Sequence, residues 1–407
     1  MYTFDGILNR LTLPLTLLLA VGLFASCDDT PIVGGELSPD DVQVHADTVI
    51  ISNLSLVSSP SFSGNLIYVT TGKVDDPVFG KITATALLRP TIARDAQVDT
   101  IGENAVARLS LNISSRYGHE SAPGDFQVVE IGRPWRSTSW RYDSIPDFAR
   151  NPDMSKKVVG EFTLTGTDSI TVRLSDEWTR RYREIFHNPS ASEKDSLYRA
   201  DLPGLAIVPA EGTDKMFSIQ VSRANLLIQS GDGTIDLIKE ISSWAVSLDK
   251  EGPNEQVIGT SKPVFNTRGS MLKLDFDFSE EFLGTTNFSR VELVLYEDTL
   301  RMKSGVSADF ERPGSETLRI FYLEPDQIPY AINIDPRFQT NRRSEDSSYR
   351  VNATNLANEL IRGGGNSRSL YAVIGINDGR FQPTLLSGSA PPHRQPKLLI
   401  TSISKEQ

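Results

Sequence analysis

Asp275 and Asp277 stand two residues apart in MLKLDFDFSEEF (271–282), the best-placed pair of carboxylates in the chain. Leu272, Leu274, Phe276 and Phe278 alternate with them, so strand geometry turns the apolar set inward. Both acids then share the outer face, about 7 Å apart. Two carboxyl groups at that separation could serve as acid and base in glycoside hydrolysis. Any solvated strand face presents the same spacing, and nothing nearby marks a desolvated partner that would raise one of the two pKa values. The solvated-face reading prevails, with a surface glycan-acting hydrolase as the alternative.

RPWRSTSWRY (133–142) gathers a second set of groups able to do recognition chemistry. Trp135, Trp140 and Tyr142 offer ring faces that stack on sugars, and Arg136 and Arg141 offer forked donors for hydroxyls or carboxylates. These five residues form the candidate ligand site. The competing reading is an edge segment whose tryptophans lock a sandwich, and the composition favours it.

Other chemistry is poorly supplied. His45, His119, His187 and His393 are scattered, with no spacing that would bring two onto one metal ion, so no metal site is assigned. There is no GxSxG elbow and no phosphate loop, since Gly363-Gly364-Gly365 lacks a following Lys-Ser or Lys-Thr. SGDGTID (230–236) departs from a calcium loop and reads as a hairpin turn, as does NDG (377–379). No catalytic residue and no cofactor are therefore assigned.

The single cysteine, Cys27, follows Arg10, an apolar stretch (11–24) and the small pair Ala25-Ser26. That stretch is shorter than the roughly 20 residues a membrane span needs, and Pro14 interrupts it. Residues 1–26 thus read as a lipoprotein signal peptide and Cys27 as the acylated residue, with Phe24 where a lipobox usually has Leu. Two or three acyl chains would hold the chain firmly, where one holds only marginally. A lone thiol cannot form an intramolecular disulfide, and thioether linkage would make it inert.

A formal charge of −11 disfavours nucleic acid as a partner, because such proteins carry clustered Lys and Arg. Residues 27–45 are acidic and rich in Pro and Gly, a tether. Beyond them, branched apolar and polar residues alternate in DTVIISNLSLV (47–57), VARLSLNIS (106–114), VVGEFTLTG (158–166) and SITVRLS (169–175). Two stretches read as helices. Asp176–Asn188 puts Trp178, Tyr182, Ile185 and Phe186 on one face, capped by Ser175 or Asp176, and Thr354–Ile361 pairs Leu356 with Leu360.

The chain also repeats itself. PVF (77–79) returns at 263–265, ARLSL (107–111) as VELVL (291–295), and ITVRLSDEWTRRY as SYRVNATNLANEL. GLAIVPA (204–210) is echoed by LYAVIGI (370–376), and ANLLIQS (224–230) by PKLLITS (396–402). The order is preserved throughout, which points to duplication. The expected architecture is mostly β: two tandem antiparallel β-sandwiches, each with a short helix, at 46–248 and 257–407. They are joined by a linker at 249–256, and each closes on its last strand.

DDPVFGK (75–81), preceded by a strand and a lipobox, resembles the signature of domain-of-unknown-function family 4270, and LYRADLPGLAIVPA (197–210) resembles another segment of that family. The resemblance implies a surface-type lipoprotein of a Gram-negative bacterium with no assigned activity. Asp-Ser/Thr-apolar tripeptides, at Asp168-Ser169-Ile170 for example, further resemble O-glycosylation acceptors of exported proteins in bacteria that carry this family. Physically, Pro77 and Gly80 shape a turn in DPVFGK and Phe79 anchors it, with a docking loop as the functional alternative. The expectation is a non-catalytic lipoprotein anchored through Cys27 in the outer membrane, facing the cell surface or periplasm. It would act as a binding or envelope-structural module for a glycan or an envelope protein.

Overall fold

The predicted alternation is realised most clearly in VARLSLNIS, where Ala107, Leu109, Leu111 and Ile113 are buried and the residues between them are half-exposed. Such a strand covers one face only and requires a second layer. A computed structural model describes residues 42–91, 101–144, 155–187, 202–229, 235–267, 269–278, 288–323, 335–362, 369–389 and 391–405. The stretch expected to be a signal peptide, Cys27 and most of the expected tether lie outside the described residues.

The strands, in chain order, begin with β1 (Val42–Ser58), β2 (Tyr68–Asp76), β3 (Gly80–Pro90), β4 (Val106–His119), β5 (Asp125–Ile131), β6 (Ser155–Thr163) and β7 (Ser169–Arg173). Helix α1 (Asp176–His187) follows, then β8 (Leu205–Pro209), β9 (Lys215–Gln220), β10 (Asn225–Gln229) and β11 (Ile235–Lys250). A one-turn helix α2 (Glu255–Ile258) leads to β12 (Lys262–Phe265), β13 (Ser270–Phe276) and β14 (Phe288–Tyr296). After α3 (Thr299–Met302) come β15 (Phe310–Glu311), β16 (Thr317–Phe321), β17 (Gln339–Asn341) and β18 (Ser348–Asn352). Helix α4 (Thr354–Arg362), β19 (Ser369–Ile374), β20 (Pro383–Leu386) and β21 (Lys397–Lys405) complete the chain. The protein is mostly β, built of antiparallel sheets. Both expected helices form, and β1 takes in the last residues of the expected tether.

Pairing among the described strands reveals how the duplication is built. One sheet can be followed as β6–β5–β8–β3–β11–β10–β4–β7. The other runs β17–β16–β19–β13–β1–β21–β14–β18. Position by position the two paths match in strand order, although in the first sheet β2 also pairs with β3, whereas β12–β20 forms a separate two-stranded sheet. Every sequence echo but PVF lands on matching strands: β4 on β14, β7 on β18, β8 on β19 and β10 on β21. The ribbon β2–β9 beside β4 has its counterpart in β12–β20, which bridges to the end of β14 through Glu297 and Leu386. In both copies the chain leaving the strand before the helix donates back to the same neighbour. Leu174 N–H reaches the Ala107 carbonyl and Ala353 N–H the Val291 carbonyl, each at 2.9 Å.

The match places β1 where the first sheet has β11. Each of these long strands opens its own repeat in sequence, yet each sits in the sheet of the other. The repeats have therefore exchanged their first strands. This corrects the expected domain boundaries. The copies divide ahead of β11 rather than at 249–256, where β11 runs through Lys250 and α2 buries Ile258 in the first repeat's core. Phe265, Phe381 and Leu385 of the second repeat join that same core, while Val49 and Ile51 of β1 join the other. Residues 46–401 consequently pack as one compact unit. β10 and β21 do not close their sheets either, since each has a neighbour on both sides. PVF is a turn at 77–79 but strand β12 at 263–265, so that echo is not a repeat of conformation.

Candidate functional site

Asp275 takes its position from β13, whose alternation buries Leu272, Leu274 and Phe276 as expected. Register places it opposite Asn53 of β1 on one side and Ser369 of β19 on the other. Its carboxylate accepts from Ser369 Oγ at 2.5 Å and Asn53 Nδ2 at 3.0 Å, and Lys273 Nζ lies 3.0 Å away. Partial burial pushes its pKa up, but the hydrogen bonds from Ser369, Lys273 and Asn53 outweigh that and hold it below the ordinary carboxylate value. A general acid needs the opposite. Asp277 lies beyond the strand's end and is exposed. The pair is thus a cross-strand tie plus a solvated acid.

A pH dependence follows. With its folded pKa depressed, Asp275 contributes stability that is present above the unfolded carboxylate value and lost as pH falls through the folded one. Urea titrations at stepped pH should show Asp275→Asn losing less stability than the wild type across that acid window. Equal slopes for the two proteins would contradict the assignment.

The aromatic stretch turns inward. Trp135 is buried against Leu87, Val129, Ile131, Ala206 and Ala245, and its indole N–H donates to the Pro203 carbonyl at 2.7 Å. Trp140 packs edge-on to Trp135 at 5.8 Å and donates to Ser247 Oγ at 3.0 Å. Tyr142 is buried, its hydroxyl donating to Asn377 Oδ1 at 2.7 Å, and burial followed by the charge of Asp378 raises its pKa. The tryptophans lock packing, as the composition favoured, and the buried ring faces of Trp135 and Tyr142 are not free stacking platforms. Arg136 is exposed, while Arg141 forms a forked pair with Asp143 at 2.8 and 2.5 Å.

What the stretch does build is one wall of a cleft of about 360 Å³. Ser58–Ser61, Leu248 and Lys250 of β11, Thr267 and Gly269 line the rest of it. Backbone bonds fasten the walls together: Tyr142 N–H to the Ser61 carbonyl at 3.1 Å and Leu248 N–H to the Tyr142 carbonyl at 2.7 Å. Lys250 is the residue that sequence reasoning missed. The residue reaches the surface, but its ammonium lies 4.1 Å over the Phe265 ring, where burial lowers its pKa. Among the described residues it has no carboxylate partner, so with Arg141 and Asp143 neutralising each other it is the cleft's uncompensated charge. Hydroxyls beside a partly desolvated ammonium suit recognition of a polar, anionic group.

DPVFGK is a joint between the repeats. Asp76 is fully buried and folds the turn by accepting from the N–H groups of Val78 and Phe79 at 2.7 and 3.0 Å. Its oxygens also accept from Tyr117 Oη at 2.5 Å and from Arg312 Nε and Nη2 at 2.8 and 2.9 Å. Phe79 meets Phe265 edge to face at 5.8 Å, and Arg312 covers Phe79 at 5.2 Å. Gly80 adopts φ +76°, and a Cβ there would stand 2.3 Å from the Gly252 carbonyl oxygen. The motif is occupied by packing, as the turn-and-anchor reading expects, and leaves Phe79 no surface for docking.

The remaining buried acids are also engaged. Glu130 accepts from Tyr182 and from Arg181 at 3.0 Å, and Asp298 accepts from Ser261 at 2.6 Å and Arg301 at 2.7 Å. His119 faces Ser307 and Asp309. Among the described residues no three His, Cys, Asp or Glu side chains gather as metal ligands would.

No family model matches the sequence, and no curated protein matches it. Among solved structures the chain aligns with one from the Macrobrachium rosenbergii nodavirus at 11% identity and a TM-score of 0.13, covering 93% of this chain and 94% of that one. It aligns with the N-terminal CBM22-1–CBM22-2 tandem domain of Paenibacillus barcinonensis Xyn10C at 10% identity and a TM-score of 0.11, covering 90% and 93%. At these scores neither likeness carries an argument.

Proposed function

We propose that the protein is a non-catalytic binding module, held at the outer membrane by acyl chains on Cys27. Its ligand contact is the cleft bounded by Ser58–Ser61, Arg141–Asp143 and Lys250. The observation that carries this reading is the unpaired Lys250 ammonium at a walled, hydroxyl-lined cleft. The ligand it fits is a small anionic group on a glycan or an envelope protein, such as a uronic acid carboxylate. The engagement of Asp76, Glu130 and Asp298 by hydrogen-bond donors supports a binding role over a hydrolytic one. The lowered pKa of Asp275 weighs against a surface glycan hydrolase built on Asp275 and Asp277.

The test uses the lipid-free chain, Cys27→Ser, on arrays of uronic-acid-containing and neutral glycans and in pulldowns from envelope extracts. Retention by an acidic ligand that drops at least tenfold in Lys250→Met supports the reading. Retention unchanged in that variant, or no retention by either route, overturns it. The anchor is tested apart: palmitate labelling should mark the wild type and leave Cys27→Ser unmarked.

A further inference from the structure

Both sheets need a long strand between two others, β11 between β3 and β10 in one and β1 between β13 and β21 in the other. β11 follows β10 directly in the chain, whereas β1 precedes the whole first sheet and is separated by it from the strands it joins. The two fillers are unequally held. β11 buries Leu237, Ile241, Ala245, Val246 and Leu248, whereas of the apolar side chains between Val44 and Ser58 only Val49 and Ile51 are buried, and Ile50 and Leu56 stay exposed. β1 is therefore held by its backbone ladders, by Val49 and Ile51, and by Leu54 and Val57 half-buried against neighbouring clusters, contacts that any copy of the same strand would reproduce. Its register is set by groups that read it from outside. Asn53 Nδ2 donates to the Asp275 carboxylate at 3.0 Å, and Ser52 Oγ to the Asp275 carbonyl at 3.0 Å.

We propose that the slot between β13 and β21 is a strand-acceptor site, and that β1 of a second copy of this chain can fill it. The closed interface would be the same in the exchanged pair as in the single chain, so the balance is set by the connection between strands and by concentration. That connection is residues 59–67, whose nine residues reach about 30 Å when extended. It is tied down in the folded chain by Ser59 N–H to the Gly269 carbonyl at 3.1 Å, Ser63 N–H to the Trp140 carbonyl at 3.0 Å and Asn65 N–H to the Trp244 carbonyl at 3.0 Å. Exchange between copies therefore belongs to folding, before these ties close, rather than to the finished monomer.

The experiment uses the full mature chain in a Cys27→Ser background, which removes the only cysteine. Ser55 faces Lys273 across the β1–β13 ladder. Chains bearing Ser55→Cys and chains bearing Lys273→Cys, differently tagged, are unfolded, mixed, refolded together and oxidised. A disulfide-linked heterodimer whose yield rises with protein concentration during refolding is the expected result. A single chain carrying both substitutions reports that the pair is in register by closing internally. Internal closure in that chain with only monomer from the mixture overturns the proposal. Ser58→Cys with Ser270→Cys, the last pair of the same ladder, gives a second readout should the first substitutions disturb folding.

Discussion

Arg312→Met should lower the unfolding free energy by about 3–5 kcal/mol, the range for breaking a buried ion pair on one side. Arg312 belongs to the second repeat and Asp76 to the first. The arginine donates twice to the carboxylate and once to the Met302 carbonyl at 2.6 Å, while its guanidinium covers Phe79 and Phe310. Asp76 has no access to water, so in the variant its charge would rest on one tyrosine hydroxyl and two backbone amides alone. Burial, and next the charge of Asp76, already raise the pKa of Tyr117, so the phenol remains a donor and cannot replace a cation. Adding Asp76→Asn to Arg312→Met removes the uncompensated charge and should restore part of the loss. A double-mutant cycle in urea would then give a coupling of roughly 2 kcal/mol or more. The exposed Lys81–Glu251 pair at 3.1 Å is the control, expected to contribute less than about 1 kcal/mol. Similar losses at both pairs would mean that the repeats are not held together at Asp76.

What the sequence made legible was local, and what it hid was set by distant pairing. Alternation in 106–114 and 271–278 placed strands because burial of one sheet face is written in neighbouring residues. The helix at Asp176 was readable from its apolar spacing and from Ser175, whose hydroxyl accepts from Trp178 N–H at 3.3 Å. The duplication was readable too, since repeats keep the order of their strands. The exchange was not. Nothing in DTVIISNLSLV marks it as a partner for residues some 220 positions away, because ladder hydrogen bonds are blind to sequence. The cleft was half legible. Arg141 and Tyr142 stood out by composition, but the direction of an indole in an irregular segment is decided by what packs behind it. Lys250 acquires its position only when the chain turns through α2 and β12 and brings Phe265 beneath its ammonium. Asp275 shows the same limit from the other side: its period in the sequence was right, and its chemistry was decided by Asn53 and Ser369 arriving from other strands.

Trp178→Ala is expected to cost about 3–5 kcal/mol, as large-to-small changes of buried tryptophan do. The ring is 2% exposed and packs on Tyr182 at 5.0 Å and Phe186 at 6.3 Å, between α1 and the strand β4 that carries Leu109 and Leu111. The sharper expectation concerns Trp178→Phe. The indole N–H is buried with no hydrogen-bond partner among the described residues, an arrangement that costs about 1–3 kcal/mol relative to a satisfied donor. Phenylalanine loses part of the ring's apolar contact but also removes that orphaned donor, and the two changes oppose each other. The variant should therefore lie within about 1.5 kcal/mol of the wild type, far closer than ring size alone would give. Urea midpoints with unchanged slopes would measure both effects. If Trp178→Phe lost as much as Trp178→Ala, the indole N–H would have to be satisfied in solution, and the helix would sit on its sheet differently from the arrangement described.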